Sequence, residues 1–295
     1  MRIAIVSGKG GTGKTTIAIS IGELEKGAIK IDGDVGASNM HLYYEGKDTY
    51  LEDFFGSKLA VVDSSICIKC GKCDKTCKFD AIKNGKVNKM TCEGCGACTL
   101  VCPVEAISLE DDKTAKMYIT KKSNGIISRA EMEVGGDGSG LLISELRKNA
   151  NEYKKNSEYI IIDSSPGIGC SVISSITGND AVIIVTEPTK SGLEDLVRVY
   201  ELTKHFNILA FVCINKYNIN KEITLEIEEY CRKEGVSVVG KIPYDEIIVE
   251  SINDLKPIIY YKNSKANNAI REMWKKVKRI LKIKELNRIE NSNSN

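Results

Sequence analysis

No stretch of this 295-residue sequence is apolar for long enough to cross a bilayer. The longest apolar runs, such as Ala181–Thr186, are strand-sized, against the roughly 20 residues that a spanning helix needs. An excess of one charge is also lacking. Lys and Arg number 42 and Asp and Glu 40, a net +2, so there is no global basic field of the kind a nucleic-acid binder carries. No nucleic-acid partner and no membrane span are therefore expected. Hydrophobic residues make up 42% and charged residues 28%, which excludes a collagen, a disordered tail and a small disulfide knot. A signal-peptide layout is missing too: Met1-Arg2-Ile3 runs straight into a motif, and the expected compartment is the cytoplasm.

Cysteine is the residue present in excess. Of 11 in total, eight lie between Cys67 and Cys102, while Cys170, Cys213 and Cys231 are scattered. A reducing compartment argues for metal ligation over disulfides. The spacing C-x2-C-x2-C-x3-C occurs twice, at Cys67–Cys77 and Cys92–Cys102, offset by 25 residues. An Ala-Ile pair follows each copy, Ala81-Ile82 and Ala106-Ile107. This is the bacterial ferredoxin pattern for two 4Fe–4S clusters, in which each fourth cysteine serves the other cluster. That rule assigns Cys67, Cys70, Cys73 and Cys102 to one cluster and Cys92, Cys95, Cys98 and Cys77 to the second. Zinc is the competing metal, but its sites commonly take four ligands as two separated pairs. One departure from the pattern is visible: Pro103 follows Cys102, but Lys78 follows Cys77. The turn at the second cluster should be the looser one.

On either side of the cysteine block the chain alternates between strand and helix patterns. Arg2–Ser7 and Ala28–Asp32 read as strands around a helix, Lys14–Glu25, with apolar residues on one face. After the block, strands are expected at Ile126–Val134, Tyr159–Asp163, Ala181–Thr186, Ile208–Ile214 and Val236–Ile242. Helices are expected at Gly140–Tyr153, Gly192–His205, Lys221–Glu234 and about Ser264–Leu286. The fold class is thus α/β, a mostly parallel sheet covered on both faces, with an inserted α+β ferredoxin-like domain. The expected division is residues 1–58 and 113–288 for the nucleotide domain, 59–112 for the insert and 289–295 for a polar tail. The segment Lys262–Asn295 has a net charge of +7. Its apolar stripe (Ile270, Met273, Trp274, Val277, Ile280, Leu281) suits a helix packed on the sheet; a membrane-surface helix is the alternative.

Gly8-Lys9-Gly10-Gly11-Thr12-Gly13-Lys14-Thr15 satisfies the P-loop pattern, with a strand entering and a helix leaving. Glycines there let backbone N–H groups face phosphates, Lys14 reaches the β and γ oxygens, and Thr15 binds Mg²⁺. Thr16 is expected to bind the nucleotide together with residues 8–15. The second lysine, Lys9, has no task in the generic motif. With it the chain resembles the deviant Walker A group, the MinD/ParA/Mrp-type ATPases, which includes the nitrogenase iron protein. The resemblance implies that Lys9 reaches across a dimer to the partner's nucleotide. It implies that Asp34, in Asp32-Gly-Asp34, holds Mg²⁺ or orients the attacking water, and that Lys9, Lys14 and Asp34 are the catalytic set. Ile160-Ile-Ile-Asp163-Ser-Ser-Pro166-Gly167 is similar to the Walker B strand and second switch, with Asp163 binding Mg²⁺ and the Gly167 N–H sensing the γ-phosphate. Asn215 is similar to the adenine-reading residue and Pro243 to the loop against the base.

Cys170 lies seven residues beyond Asp163, where the nitrogenase iron protein has a cluster ligand. That family needs a second cysteine before the next helix, and Gly135–Gly140 has none. Cys170 is therefore read either as a ligand of a shared cluster or as a small core residue. Cys213 and Cys231 are read as core, and the Cys-x-x-Cys of the cluster carriers is absent near the C-terminus. The expected cofactors are ATP, Mg²⁺ and two 4Fe–4S clusters. The expected function is ATP-dependent switching of a dimer, with itself or a close paralogue, coupled to one-electron transfer to a partner protein. The alternatives are a maturation factor delivering a metal or cluster to a target apoenzyme, and a MinD-like positioning switch.

Overall fold

The computed structural model describes residues 1–44, 46–122, 125–136, 138–154 and 157–292; the side chains of residue 285 and of 287–292 lie outside this description. So do Asp137, in the glycine-rich loop before the expected Gly140 helix, and residues 293–295 of the expected polar tail.

A nine-stranded sheet organises the chain. Its parallel part holds β1 (Arg2–Val6), β2 (Ile29–Gly33), β7 (Gly125–Met132), β8 (Ile160–Ser164), β9 (Ala181–Thr186), β10 (Ala210–Asn215) and β11 (Ser237–Ile242), ordered β11-β10-β9-β1-β8-β2-β7. Strands β2, β8, β9 and β10 are buried throughout, because helices cover both faces and nearly every position must be apolar. One face packs α4 (Ser139–Glu152), α5 (Cys170–Ile176), α6 (Lys190–His205) and α7 (Lys221–Lys233); α1 (Lys14–Leu24) and α9 (Lys265–Ser292) cover the other. A short helix, α8 (Ile247–Asn253), lies between β11 and α9.

The apolar stripe of α9 is buried against this sheet, from Ile270 at 1% to Leu281 at 5% exposure, and Ile280 packs beside it. The stripe is therefore not a free membrane-facing surface. The helix also runs on to Ser292, through residues expected to be frayed. Among the described residues no helix is long and apolar enough to cross a membrane.

Beyond β7 the sheet turns antiparallel. Strands β3 (Lys47–Val62) and β6 (Ile107–Lys122) pair along their length as a 16-residue ribbon, with register shifts between Tyr50 and Ser57. The expected boundaries at 59 and 112 fall in mid-ribbon, where Leu59 opposes Glu110 and Ser57 opposes Asp112. The ribbon's base is stitched to the sheet by Arg129, which pairs with Asp48 at 2.6 Å and donates to Thr120 at 3.2 Å. Its far end carries residues 63–106, with two short helices, α2 (Lys72–Thr76) and α3 (Ala97–Leu100), and the hairpin β4 (Ile82–Lys83) and β5 (Lys86–Val87). Of these 44 residues, only Ala81, Ile82 and Ala106 are buried.

Candidate nucleotide site and cysteine lobe

The glycine-rich turn joins the end of β1 to α1, which begins at Lys14. Gly13 has φ 89°, and a Cβ there would lie 2.5 Å from the Asn215 amide nitrogen, so only glycine fits. Asn215 donates to the Thr12 carbonyl at 2.8 Å and thereby ties β10 to the loop. Gly13, Thr16, Asn215, Ile242, Tyr244 and Ile248 are among the residues lining a cavity of about 260 Å³ beside the loop. It is mostly apolar with a few polar groups, as a nucleobase site should be. Pro243 stands between two of the lining residues, Ile242 and Tyr244, and is not itself in the lining.

Asp32, Asp34 and Asp163 feel one another's charge, and Lys14 acts on Asp34 and Asp163. Asp32 and Asp163 are register partners on β2 and β8, and both are fully buried. Thr15 donates its hydroxyl to Asp163 at 2.5 Å. Asp163 Oδ1 and Asp32 Oδ1 are buried without a hydrogen-bond partner. Burial first, and the Asp32 charge second, push Asp163 up to about 8. Burial pushes Asp32 up to about 6 against hydrogen bonds from Ser38 at 2.8 Å and the Met40 amide at 3.0 Å. Asp34, half-buried, is also raised by burial, with Lys14 pulling the other way. Orphaned carboxylate oxygens beside a threonine hydroxyl form an oxygen-rich donor set of the kind a hard divalent cation takes. Asp32 is the member that sequence reasoning quoted but gave no role; its position at the end of a buried strand, one residue from Asp34 on the other side of Gly33, was the signal.

Lys9 is engaged within its own chain. Its ammonium pairs with Glu187 at 2.7 Å and donates to Thr189 and Ser191, both at 3.1 Å. Lys216, at φ 52°, reaches the same Glu187 at 3.3 Å and the Gly11 carbonyl at 3.3 Å. Burial works to raise the Glu187 carboxyl, but the two lysines hold it below the ordinary range. The Gly167 N–H is likewise taken, donating to the Ser7 carbonyl at 2.8 Å.

The eight clustered cysteines fall into two sets of four. Cys67, Cys70, Cys73 and Cys102 line one small cavity; Cys77, Cys92, Cys95 and Cys98 line another. This is the crosswise division that the spacing predicts. The offset of 25 recurs in the backbone: φ is positive at Lys69 and Gly94, Gly71 and Gly96, and Asp80 and Glu105. The Ala-Ile pairs have a structural role. The Ala81 N–H donates to Cys77 Sγ at 3.3 Å and the Ala106 N–H to Cys102 Sγ at 3.2 Å, while Ile82 and Ile107 are buried within the lobe's apolar cluster. The turns after Cys77 and Cys102 thus match, although only one carries proline. Among the described residues no three His, Cys, Asp or Glu are grouped to hold a single metal ion.

Cys213 and Cys231 are buried core residues, at 0% and 1% exposure. Cys170 is not a core residue: it is exposed, because it opens the first turn of α5 beyond the loop that follows β8.

Residues 3–258 match the CobQ/CobB/MinD/ParA nucleotide binding domain family. An uncharacterised protein of Methanocaldococcus jannaschii is 36% identical over 285 residues, covering 95% of this chain and 98% of its own. The septum site-determining protein MinD of Escherichia coli K12 is 24% identical over 283 residues, covering 90% of this chain and 87% of its own. In fold the chain is similar to the septum site-determining protein MinD of Pyrococcus horikoshii OT3, solved in complex with Mg-ADP. The TM-score is 0.58 and the identity 23%, covering 96% of this chain and 98% of that one. With its P-loop, parallel sheet and buried carboxylates, the chain belongs to the CobQ/CobB/MinD/ParA nucleotide-binding family and is a P-loop ATPase.

Proposed function

We propose that this ATPase is an iron–sulfur protein in which ATP binding and hydrolysis switch a dimer, coupled to one-electron transfer to a partner protein. The observation that carries the reading is the sorting of eight cysteines into two four-thiol cavities, each drawing three residues from one repeat and one from the other. The thin core of the lobe supports it, since a segment of about 40 residues usually needs metals or cross-links to hold a fold. Cys67, Cys70, Cys73 and Cys102 would hold one 4Fe–4S cluster and Cys92, Cys95, Cys98 and Cys77 the other; when bound, such clusters accept and release single electrons. The N–H groups of Ala81 and Ala106 stabilise negative charge on Cys77 and Cys102.

At the nucleotide, residues 8–16 cradle the phosphates. Lys14 neutralises the β and γ oxygens, and Thr15, Asp34 and Asp163 hold Mg²⁺. Asn215 and the loop at Pro243 flank the base. Asp34 orients the attacking water. Lys9 leaves Glu187 to act across a dimer, with itself or a close paralogue. The MinC:MinD complex of Aquifex aeolicus, whose MinD fold this chain shares at 20% identity, supports partner binding by such ATPases. The free cysteines suit a cytoplasmic setting.

Anaerobic preparation should yield about eight iron and eight acid-labile sulfide per chain. About four iron, persisting after reconstitution, would remove the two-cluster assignment. Iron retained through many turnovers supports electron transfer, whereas labelled iron passed to an apoenzyme would make the chain a maturation factor.

A further inference from the structure

The two cysteine cavities differ at their mouths. Residues 63–90 carry seven lysines and three aspartates, a net +4; residues 91–106 carry no lysine or arginine and two glutamates, a net −2. All seven lysines are exposed. Among the described residues none of them forms an ion pair. Two of the aspartates are already engaged. Asp63 accepts from the Ser65 amide at 2.8 Å and hydroxyl at 2.6 Å, and Asp74 accepts from the Asn84 amide at 2.8 Å. Lys69 and Lys72 line the cavity of Cys67, Cys70, Cys73 and Cys102, and no carboxylate does. The other cavity is lined by Glu93 and Phe79 and by no lysine.

A lysine-rich surface by itself is a solvated face. This one also has apolar residues that water does not favour. Ile68, in the lining of the first cavity, is 61% exposed, and Ile66 beside it is 47% exposed. Cys70 is exposed between them and Lys72. Exposed apolar residues at a cavity whose lining carries Lys69 and Lys72 and no carboxylate, in a segment of net +4, make an interaction face that favours a partner of the opposite charge.

We propose that the mouth of the cavity lined by Cys67, Cys70, Cys73 and Cys102 is the docking face for an acidic redox protein, seated on Ile66 and Ile68 with Lys69 and Lys72 at the rim. The proposal rests on the reading of the lobe as a cluster carrier. One electron leaves the reduced partner, which is oxidised by one, and enters the lobe, which is reduced by one; no bond forms or breaks. The Glu93 side repels such a partner, which disfavours docking at the other mouth.

The test uses the full-length protein as isolated anaerobically, with an acidic flavodoxin as the probe. Complex formation is read by calorimetry, so that it decides the docking face whatever the iron content. Iron and sulfide analysis decides the cluster reading separately. The expected result is binding that weakens steeply with salt and falls about tenfold in Lys69→Glu/Lys72→Glu at low ionic strength, with the difference vanishing in high salt. The reversal Lys282→Glu, on the far helix α9, should leave it unchanged. Electron transfer from the flavodoxin hydroquinone should slow in the same proportion at unchanged iron content. Equal binding by wild type and the double variant would overturn the proposal. So would a basic cytochrome binding better than the flavodoxin, or a DNA duplex or anionic vesicle showing the Lys69/Lys72 dependence while the flavodoxin shows none.

Discussion

The sheet and the cysteine lobe hold their shapes by different means. In the sheet, Ile3, Ile5, Ile161, Ile183 and Val212 are all fully buried, and the packing is strong enough to keep Asp32 and Asp163 out of water without partners for one oxygen each. That core tolerates the cost of an electrostatically strained site. The lobe can tolerate nothing of the kind, since its buried residues are Ala81, Ile82 and Ala106, with Ala60 and Ile107 at the ribbon's end. The comparison teaches that one region brings its own folding free energy to its site, while the other, on the proposed cluster reading, would depend on what its site binds.

Iron removal is the most direct way to break this comparison. Chelation, or Cys102→Ser with Cys77→Ser, should leave residues 63–106 open to limited proteolysis and to fast amide exchange. The sheet's thermal transition should move by less than about 3 °C, since the ribbon's base is held by Arg129 and not by the lobe. A lobe that stays protected without iron would show that its few buried residues suffice.

Substitutions in the loop probe the other region. Lys14, 5% exposed at the start of α1, should be indispensable: Lys14→Ala is expected to weaken nucleotide binding by about 100-fold, the scale of lost charge-assisted hydrogen bonds to phosphate. Lys9→Ala should leave binding within about threefold and lower hydrolysis by about 100-fold or more, as loss of a residue acting in trans does. Its ammonium is held by Glu187 at 2.7 Å, away from any task in its own site. Equilibrium binding and single-turnover hydrolysis separate the two, and an equal loss of affinity in both variants would end the trans role of Lys9.

The strain in the sheet has a pH signature. The Asp163 carboxyl ordinarily titrates at 3.8 and stands at about 8 in the folded chain, so the native state binds the extra proton throughout that window. Stability of the metal- and nucleotide-free protein should therefore fall as pH rises from about 4 to 8. Asp163→Asn removes the Asp163 part of that slope, leaving what Asp32, raised to about 6, contributes at lower pH. It should raise the melting temperature by a few degrees at pH 8, change it little at pH 4.5, and abolish hydrolysis. A variant less stable than wild type at pH 8 would mean that the site is not strained.

Much of this was legible because two signals were local. The P-loop glycines carry their meaning in spacing alone, the spacing of the eight cysteines anticipates how they group into two cavities, and the apolar strands could only be buried. The ribbon was not legible. Residues 47–58 mix charged and aromatic groups with no period-two pattern and are largely exposed, and only the partner strand 107–122 tells them apart from a linker. Cys170 misled for a related reason: burial depends on which way a helix's first turn faces, and α5, at seven residues, is too short to show a periodicity. The cis pairing of Lys9 with Glu187 spans 178 positions, a contact that only the fold creates.

The finest distinction is whether the two regions are independent at all. Besides the strand pairing of the ribbon, Gly135 and Gly138, before α4, touch the lobe and the ribbon. There a Cβ on Gly138 would come within 2.7 Å of the Gly56 backbone, and one on Gly135 within 2.9 Å of Met90 in the lobe. Helix α4 then packs on α5, which follows β8 and Asp163, so contacts among the described residues link the carboxylates to the helix that follows Gly138. A contiguous path is only a means of coupling, and its energy must be measured. Because the junction is small, the coupling should lie at the low end of the usual range, about 1 kcal/mol. For a one-electron couple that is about 45 mV between the ADP-bound and ATP-analogue-bound proteins. Gly138→Ala, at φ 86°, strains the junction and should reduce the shift while leaving nucleotide affinity unchanged. Redox titrations of both proteins in each nucleotide state decide it: superimposable curves in the wild type would mean that the lobe rides on the ATPase without sensing it.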